Sequence, residues 1–308
     1  MTIGVAAAGP HAGAAVYDAV LTAELLGRGA IGGFAVLAVL LADGRLEYRT
    51  TQREGISSLD LPAAWRDAPY AAVISSGPDR PEPLTQFLAG EAGVGLVTGH
   101  RLPNLAGTDG VPLNQSVLRR MAQGEAPQAA VDAVLGTHAQ WDAGLLALDT
   151  GGRIGLADTA RVLRRNDLGR FERRTPAASL ALLHNSIYAR GDLAAQVGER
   201  AWCTLTGAPA ALRFVTLTRA TTLGTAPHDR VEIDAQGHIT AIATANPRLA
   251  RLDRRGTVIY LGTEVWSEGA MVGHATTELY VEVRDGRVLP ASLAANNTLL
   301  MRSAHVAP

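Results

Sequence analysis

The sequence predicts an α+β fold whose final third is rich in strand, and three observations carry that prediction. Apolar residues recur at helical spacing over 12–26 and again between Val111 and Val134. Two turn sequences, Ala42-Asp43-Gly44 and Asp149-Thr150-Gly151-Gly152, each join two strand-like runs into an antiparallel hairpin. From about Trp202 onward, helical spacing gives way to short strand candidates with turn residues between them. The chain has 308 residues, 47% of them hydrophobic and 19% charged, enough for a sizeable core in one large domain or one domain with an appendage.

Taken in order, residues 2–9 read as an apolar strand closed by Gly9-Pro10, followed by the helix over 12–26, which Gly27, Gly29 and Gly32-Gly33 end. Phe34–Leu41 and Arg45–Thr51 form the first hairpin, and 70–76 and 93–98 are two further buried strands. Gly124 and Pro127 divide the 111–134 pattern into two helices or one broken helix. Gly144–Leu148 and Arg153–Ala157 form the second hairpin, and another helix is expected over 175–189. Beyond it, Leu212–Leu217, Val231–Ile233, Ile239–Ile242, Gly256–Gly262 and Thr277–Val283 are strand candidates. A soft boundary near residue 200 separates a core over 1–200 from a β-rich extension over 201–308, which can equally belong to the same domain.

Composition excludes several function classes. With 28 basic against 29 acidic residues there is no electrostatic footprint for nucleic acid or anionic lipid. No segment approaches the roughly 20 apolar residues of a membrane span, and the start lacks a signal peptide, so a cytoplasmic location is expected. The single cysteine, Cys203, fits a reducing compartment and is expected to be a buried thiol. All 28 basic residues are arginine. Without lysine there is no Schiff base with pyridoxal phosphate, no P-loop lysine and no Ser-Lys nucleophile pair. His138 and Asp142 lack a third metal ligand nearby, and no cofactor is implied.

Three stretches, read together, resemble the N-terminal-nucleophile (Ntn) hydrolase superfamily. Gly13-Ala-Ala-Val-Tyr-Asp-Ala-Val, the glycine-rich Gly27–Gly33, Phe34-Ala-Val and Arg53-Glu54 look like the opening of γ-glutamyltranspeptidases. Val97-Thr98-Gly99-His100 is similar to the substrate-binding Thr-Gly segment of isoaspartyl peptidases and plant-type asparaginases. The run from Arg120 to Val134, then Ala143–Asp149 and Gly152–Gly155, resembles the helix and closing hairpin of those asparaginases. The resemblance covers about residues 3–160 in patches, and its weight lies in their shared order. It implies a four-layer αββα sandwich, amide hydrolysis by an N-terminal Thr, Ser or Cys, and assembly as a homo-oligomer, commonly a homodimer.

Such chemistry needs a nucleophile whose own α-amine is the base. Counting back from Asp43-Gly44, the asparaginase threonine position falls on or near Phe34, which has no hydroxyl. Thr2 is the other route, since loss of Met1 would leave it heading the first strand with a free amine; a plain strand-start threonine is the alternative. Ser75 and Ser76 follow a buried strand and can equally satisfy local backbone groups.

Thr98-Gly99-His100-Arg101 offers a hydroxyl, an approachable backbone, an imidazole and a fixed cation within four residues, a set suited to a carboxylate. Its alternative is an exposed loop after a strand. By the resemblance, Arg53 is a second carboxylate clamp, against a surface residue paired with Glu54 or a neighbour. Asn104, Asn114 and His184-Asn185 can hydrogen-bond a polar substrate or equally cap helices, and capping is the expected use of Asn114, which precedes a helical pattern.

The first functional expectation is therefore an amidohydrolase acting on a small carboxylate-bearing compound. Arg53, Arg101, Gly99 and Asn104 would bind substrate, and Thr98, His100 and Thr2 would serve catalysis. The second is a catalytically degenerate relative that binds a small metabolite. The third is an assembly role for the β-rich extension, through its edge strands.

Overall fold

The computed structural model describes residues 1–27, 31–292 and 294–304. It is mixed α+β, with about 24% helix and 41% strand. The chain divides into two compact units, Met1–Ala208 and Pro209–Pro308.

The first unit opens with β1 (Thr2–Ala8), α1 (Ala12–Leu26), β2 (Phe34–Leu40), β3 (Leu46–Gln52), α2 (Ala63–Arg66) and β4 (Tyr70–Ser76). It continues through β5 (Ala89–Glu91), β6 (Gly95–Arg101), α3 (Leu113–Ala122), α4 (Pro127–Thr137), β7 (Ala143–Asp149) and β8 (Ile154–Asp158). It closes with β9 (Leu168–Thr175), β10 (Ala178–Asn185) and α5 (Leu193–Thr206). Six strands form one antiparallel sheet in the order β3-β2-β4-β1-β10-β9, and four form another in the order β5-β6-β7-β8.

The two sheets share a core. Ala6, Phe34, Val36, Ile74 and Leu183 of the larger sheet pack with Leu96, Leu146, Leu148, Ile154 and Leu156 of the smaller. The outer face of the smaller sheet, with Val97, Leu145 and Ala147, packs on Leu113, Val117, Val131 and Val134 of α3 and α4. Helices α1 and α5 lie against each other, α1 on β1 and β4, and α5 on β10 and β9. Strands covered on both faces need no polar side, so β1, β2 and β10 are buried along their whole length and do not alternate apolar with polar residues.

That absence of alternation explains one correction. The helix expected over 175–189 is instead the β9–β10 hairpin, turning at Pro176-Ala177, and all eight residues of β10 are buried. The helix follows it: α5 is capped by Asp192, whose carboxylate accepts the Ala195 N–H at 3.0 Å, and it stops at the left-handed Gly207. Gly29, one of the glycines expected to end α1, lies outside the described residues. Cys203, on α5, is half-buried rather than buried, and burial raises its thiol pKa.

The second unit holds β11 (Leu212–Thr216), β12 (Thr221–Thr225), β13 (Arg230–Ile233), β14 (Ile239–Thr244), α6 (Pro247–Arg251) and β15 (Arg254–Ile259). Then come β16 (Glu264–Ser267), β17 (Ala270–Ala275), β18 (Leu279–Arg284), β19 (Arg287–Leu289) and β20 (Thr298–Ser303). They form a ten-stranded sheet around its own apolar core, which includes Val231, Ile242, Val265, Val281 and Leu299. Among the described residues no helix is long and apolar enough to cross a membrane.

Candidate functional site

Register assembles one polar row across the larger sheet. Gln52 pairs with Phe34, Phe34 with Ser76, Ser76 with Thr2, Thr2 with Asn185, and Asn185 with Leu168. Residues directly opposite in antiparallel strands project from the same face. Phe34 belongs to the core between the sheets, so Thr2, Ser76 and Asn185 face that side too. Thr2 is only 2% exposed.

Close backbone approach brings the smaller sheet to this row. A Cβ on Gly4 would lie 2.2 Å from the Gly99 carbonyl oxygen, so only glycine lets β1 and β6 meet there. The next residue of β6, His100, is fully buried and places Nδ1 3.1 Å from Asn185 Oδ1 and Nε2 2.5 Å from Asp158 Oδ1. Asn185 Nδ2 donates to Ser186 Oγ at 3.0 Å, and Ser186 donates to Asp167 at 2.6 Å. Arg165 pairs with Asp167 through two hydrogen bonds of 2.8 and 2.5 Å. Hydrogen-bonding to Arg165 and Ser186 holds the Asp167 carboxyl down at about 2.

Proton counting orients the chain. Ser186 spends its proton on Asp167, so it must accept from the Asn185 amide, and Asn185 Oδ1 must accept from His100 Nδ1–H. A second proton lies between His100 Nε2 and Asp158.

On the other side of Thr2, the Ser76 hydroxyl donates to the Met1 carbonyl at 2.9 Å, and the Gly77 N–H donates to the same oxygen at 3.4 Å. Arg80 Nη2 donates to Ser76 Oγ at 3.0 Å. Burial lowers the pKa of the Met1 amine, and the positive charges of Arg101, Arg80 and Arg165 lower it further, against Asp167. Three of the five non-glycine residues with positive φ among those described, Arg53, Arg101 and Ser186, stand at strand ends beside this row.

A family model described as a domain of unknown function, DUF6963, matches residues 2–214. The chain belongs to the DUF6963 family. A second domain of unknown function, DUF7259, matches residues 220–296, and no curated protein matches the chain.

The DUF6963 region contains the whole Thr2 row, and within it the residues expected from the sequence take different places. His100 and Thr2 come to the same end of the sheets. Thr98 is buried, its hydroxyl donating to the Val73 carbonyl at 3.1 Å and tying β6 to β4. Gly99 serves the close approach to Gly4. Arg101 makes a two-pronged pair with Asp142, whose carboxyl it holds down. Arg53 is 76% exposed and paired with Asp79 at 2.5 Å, so it is a surface ion pair. Asn104 donates to Gln86 Oε1 at 2.9 Å, outside the Thr2 network. Asn114 does not cap its helix: Pro112 holds that position, and the Asn114 amide donates to the Gln86 carbonyl at 2.9 Å.

His184 projects to the opposite face from Asn185, where burial and then the charge of His100 push its pKa down to about 4. Arg80, Asp158 and Asp167 were not among the expected site residues, and Ser76 was named only, with Ser75, as a serine at a strand end. Only register and the meeting of two sheets unite them, and no local spacing in the sequence does so. Among the described residues no cluster of three or more His, Cys, Asp or Glu side chains converges as a metal site requires. At the far end of β1 a half-open cleft of about 440 Å³ is bordered by Gly9, Gly152, Arg153, Arg174 and Ser179. Its two guanidinium groups are already paired with Asp149 and Glu172.

Proposed function

We propose that this DUF6963 chain is an amidohydrolase of the N-terminal-nucleophile type, with Thr2 as nucleophile once Met1 has been removed. The observation that carries the reading is the place of Thr2. It stands, 2% exposed, between Ser76 and Asn185 at the head of β1, on the face shared by the two sheets. The helix–sheet–sheet–helix order of the first unit supports it, as does the shared order of the sequence patches.

In this reading the freed Thr2 amine takes the hydroxyl proton as Thr2 Oγ attacks the amide carbonyl carbon. Ser76 Oγ–H and Gly77 N–H, the two donors that hold the Met1 carbonyl, stabilise the oxyanion. The amine then passes the proton to the departing nitrogen, leaving an ester on Thr2 Oγ. Water cleaves that ester and returns the hydroxyl proton. His100 and Asp158 hold the Asn185 amide in one orientation beside Thr2 and are positioning residues.

A base must be neutral to act, so its environment should disfavour the ammonium form, and burial beside guanidinium groups does so. Burial and the charges of Arg101, Arg80 and Arg165 hold the Met1 amine below 8.0; a Thr2 amine freed beside the same arginines should likewise place the acid limb of the pH–rate profile below that value, with activity lost as pH falls.

Intact mass before and after incubation with small amides and an acylating electrophile tests the reading. Loss of Met1, with one label on Thr2 that is absent from Thr2→Ala, is the expected result, and that variant should lose roughly four orders of magnitude in turnover. A full-length, unlabelled and inactive chain would overturn it in favour of a binding protein.

A further inference from the structure

The cleft at the far end of β1 has a row of its own. Leu40 pairs with Tyr70, Tyr70 with Ala8, Ala8 with Ser179 and Ser179 with Arg174. Leu40 and Ala8 belong to the core between the sheets, so Tyr70, Ser179 and Arg174 face the smaller sheet as well. The seven residues of β1 put roughly 20 Å of extended chain between this row and Thr2, so a small molecule held here stays clear of the Thr2 network.

Hydrogen bonds fix the shape of the cleft. Ser179 Oγ donates to the Gly152 carbonyl at 2.6 Å, which fastens the β7–β8 turn to β10. Asp149 Oδ1 accepts the Gly151 and Arg153 N–H groups at 3.0 and 2.8 Å, which holds the turn itself. Ala8, Gly9 and Gly152 border the cleft without bulky side chains, and Pro69, Tyr70 and Pro176 add apolar surface. A volume of about 440 Å³ with mostly apolar walls and a few polar groups suits a small organic molecule with a flat body.

The polar groups are two guanidiniums that keep donors to spare. Arg153 spends Nε on Asp149 at 2.6 Å, and neither of its Nη groups has a partner among the described residues. Arg174 spends Nη2 on the Ile154 carbonyl at 2.7 Å and on Glu172, and its Nε and Nη1 have none among the described residues. Arginine's remaining edge binds an oxyanion even when another edge is occupied. The neighbouring carboxylates of Asp149 and Glu172 oppose a doubly charged group more than a singly charged one.

We propose that this cleft is a second ligand site, which takes a singly charged organic acid with a flat apolar body, its carboxylate on Arg153 and Arg174. The site goes beyond the hydrolase reading and does not depend on it.

Calorimetric titration of the full-length chain with benzoate, 2-naphthoate and hexanoate, with their primary amides and with phenyl phosphate, tests the proposal. At least one acid should saturate, and its amide should bind at least about 10-fold more weakly, the scale of a lost charge-assisted hydrogen bond. Arg153→Gln and Arg174→Gln should each weaken the acid by a similar factor, while Thr2→Ala should leave its affinity unchanged. The backbone amide resonances of Gly9, Gly151 and Gly152 should shift as the acid is added. Failure of every acid to saturate, affinity that survives both arginine substitutions, or tighter binding of phenyl phosphate overturns the proposal. Binding that Thr2→Ala abolishes overturns it too, because the acid would then sit at the other end of β1.

Discussion

Gly144 decides whether His100 can reach Asp158. A Cβ on Gly144 would stand 2.1 Å from Asp158 Oδ1 and 2.3 Å from His100 Nε2, inside both atoms of the pair. Gly144→Ala should therefore separate the two side chains, release the Asn185 amide and lower turnover by roughly 100-fold, the scale of a one-ångström misplacement. Loss of the His100 ring N–H resonance by NMR would report the same event without reference to activity. Gly136→Ala, in α4 with nothing within 4 Å, is the matching control and should leave both readouts unchanged. Thr2 and His100 could be named from the sequence because a strand-start threonine and a Thr-Gly-His-Arg run are local patterns. Arg80 and Asp158 could not, and Ser76 only as a serine at a strand end, because their common address exists only after β4, β1, β10, β6 and β8 have been brought together.

At the scale of elements, α1 carries a titration that belongs to stability rather than to chemistry. Glu24 accepts the Ile56 N–H with both carboxylate oxygens, at 3.0 and 3.2 Å, and burial pushes its carboxyl from 4.5 up to about 7. The folded value lies above the unfolded one, so the folded chain keeps a proton that the unfolded chain loses. The stabilising contribution is complete below about 4.5 and is lost as pH rises through about 7. Glu24→Gln should flatten that part of the stability–pH curve and be the more stable protein at pH 8, by about 3 kcal/mol at most. Denaturant melts of both proteins from pH 4 to 8 would show the difference, and parallel curves would refute it. The β2–β3 and β7–β8 hairpins were legible because the turn residues Asp43-Gly44 and Asp149-Thr150-Gly151-Gly152 stand between their strands. The β9–β10 hairpin was not, since a strand buried on both faces has no period to read, and α5 was missed with it although its Asp192 cap and Gly207 stop are local signals.

For the whole molecule, each unit has its own apolar core, and the exposed Gly207-Ala208-Pro209 stretch separates them in sequence. Brief digestion with a broad-specificity protease should cut there first and leave two resistant fragments, Met1–Ala208 and Pro209–Pro308 within a few residues, identifiable by mass. Many simultaneous fragments would argue against separate cores. The β-rich character of the second unit could be read from its turn residues, whereas strands as short as β16 and β19 are too brief to register as patterns.

Every cation at the Thr2 end of the sheets is a guanidinium, in a chain that has no lysine. Amine-directed reagents therefore find a single kind of target, the α-amine at the head of β1. Reductive methylation or acylation would tag each molecule once, at the pole itself. In the chain that has lost Met1 that amine belongs to Thr2, and the rate of its tagging would measure the basicity of the nitrogen on which the proposed hydrolysis depends.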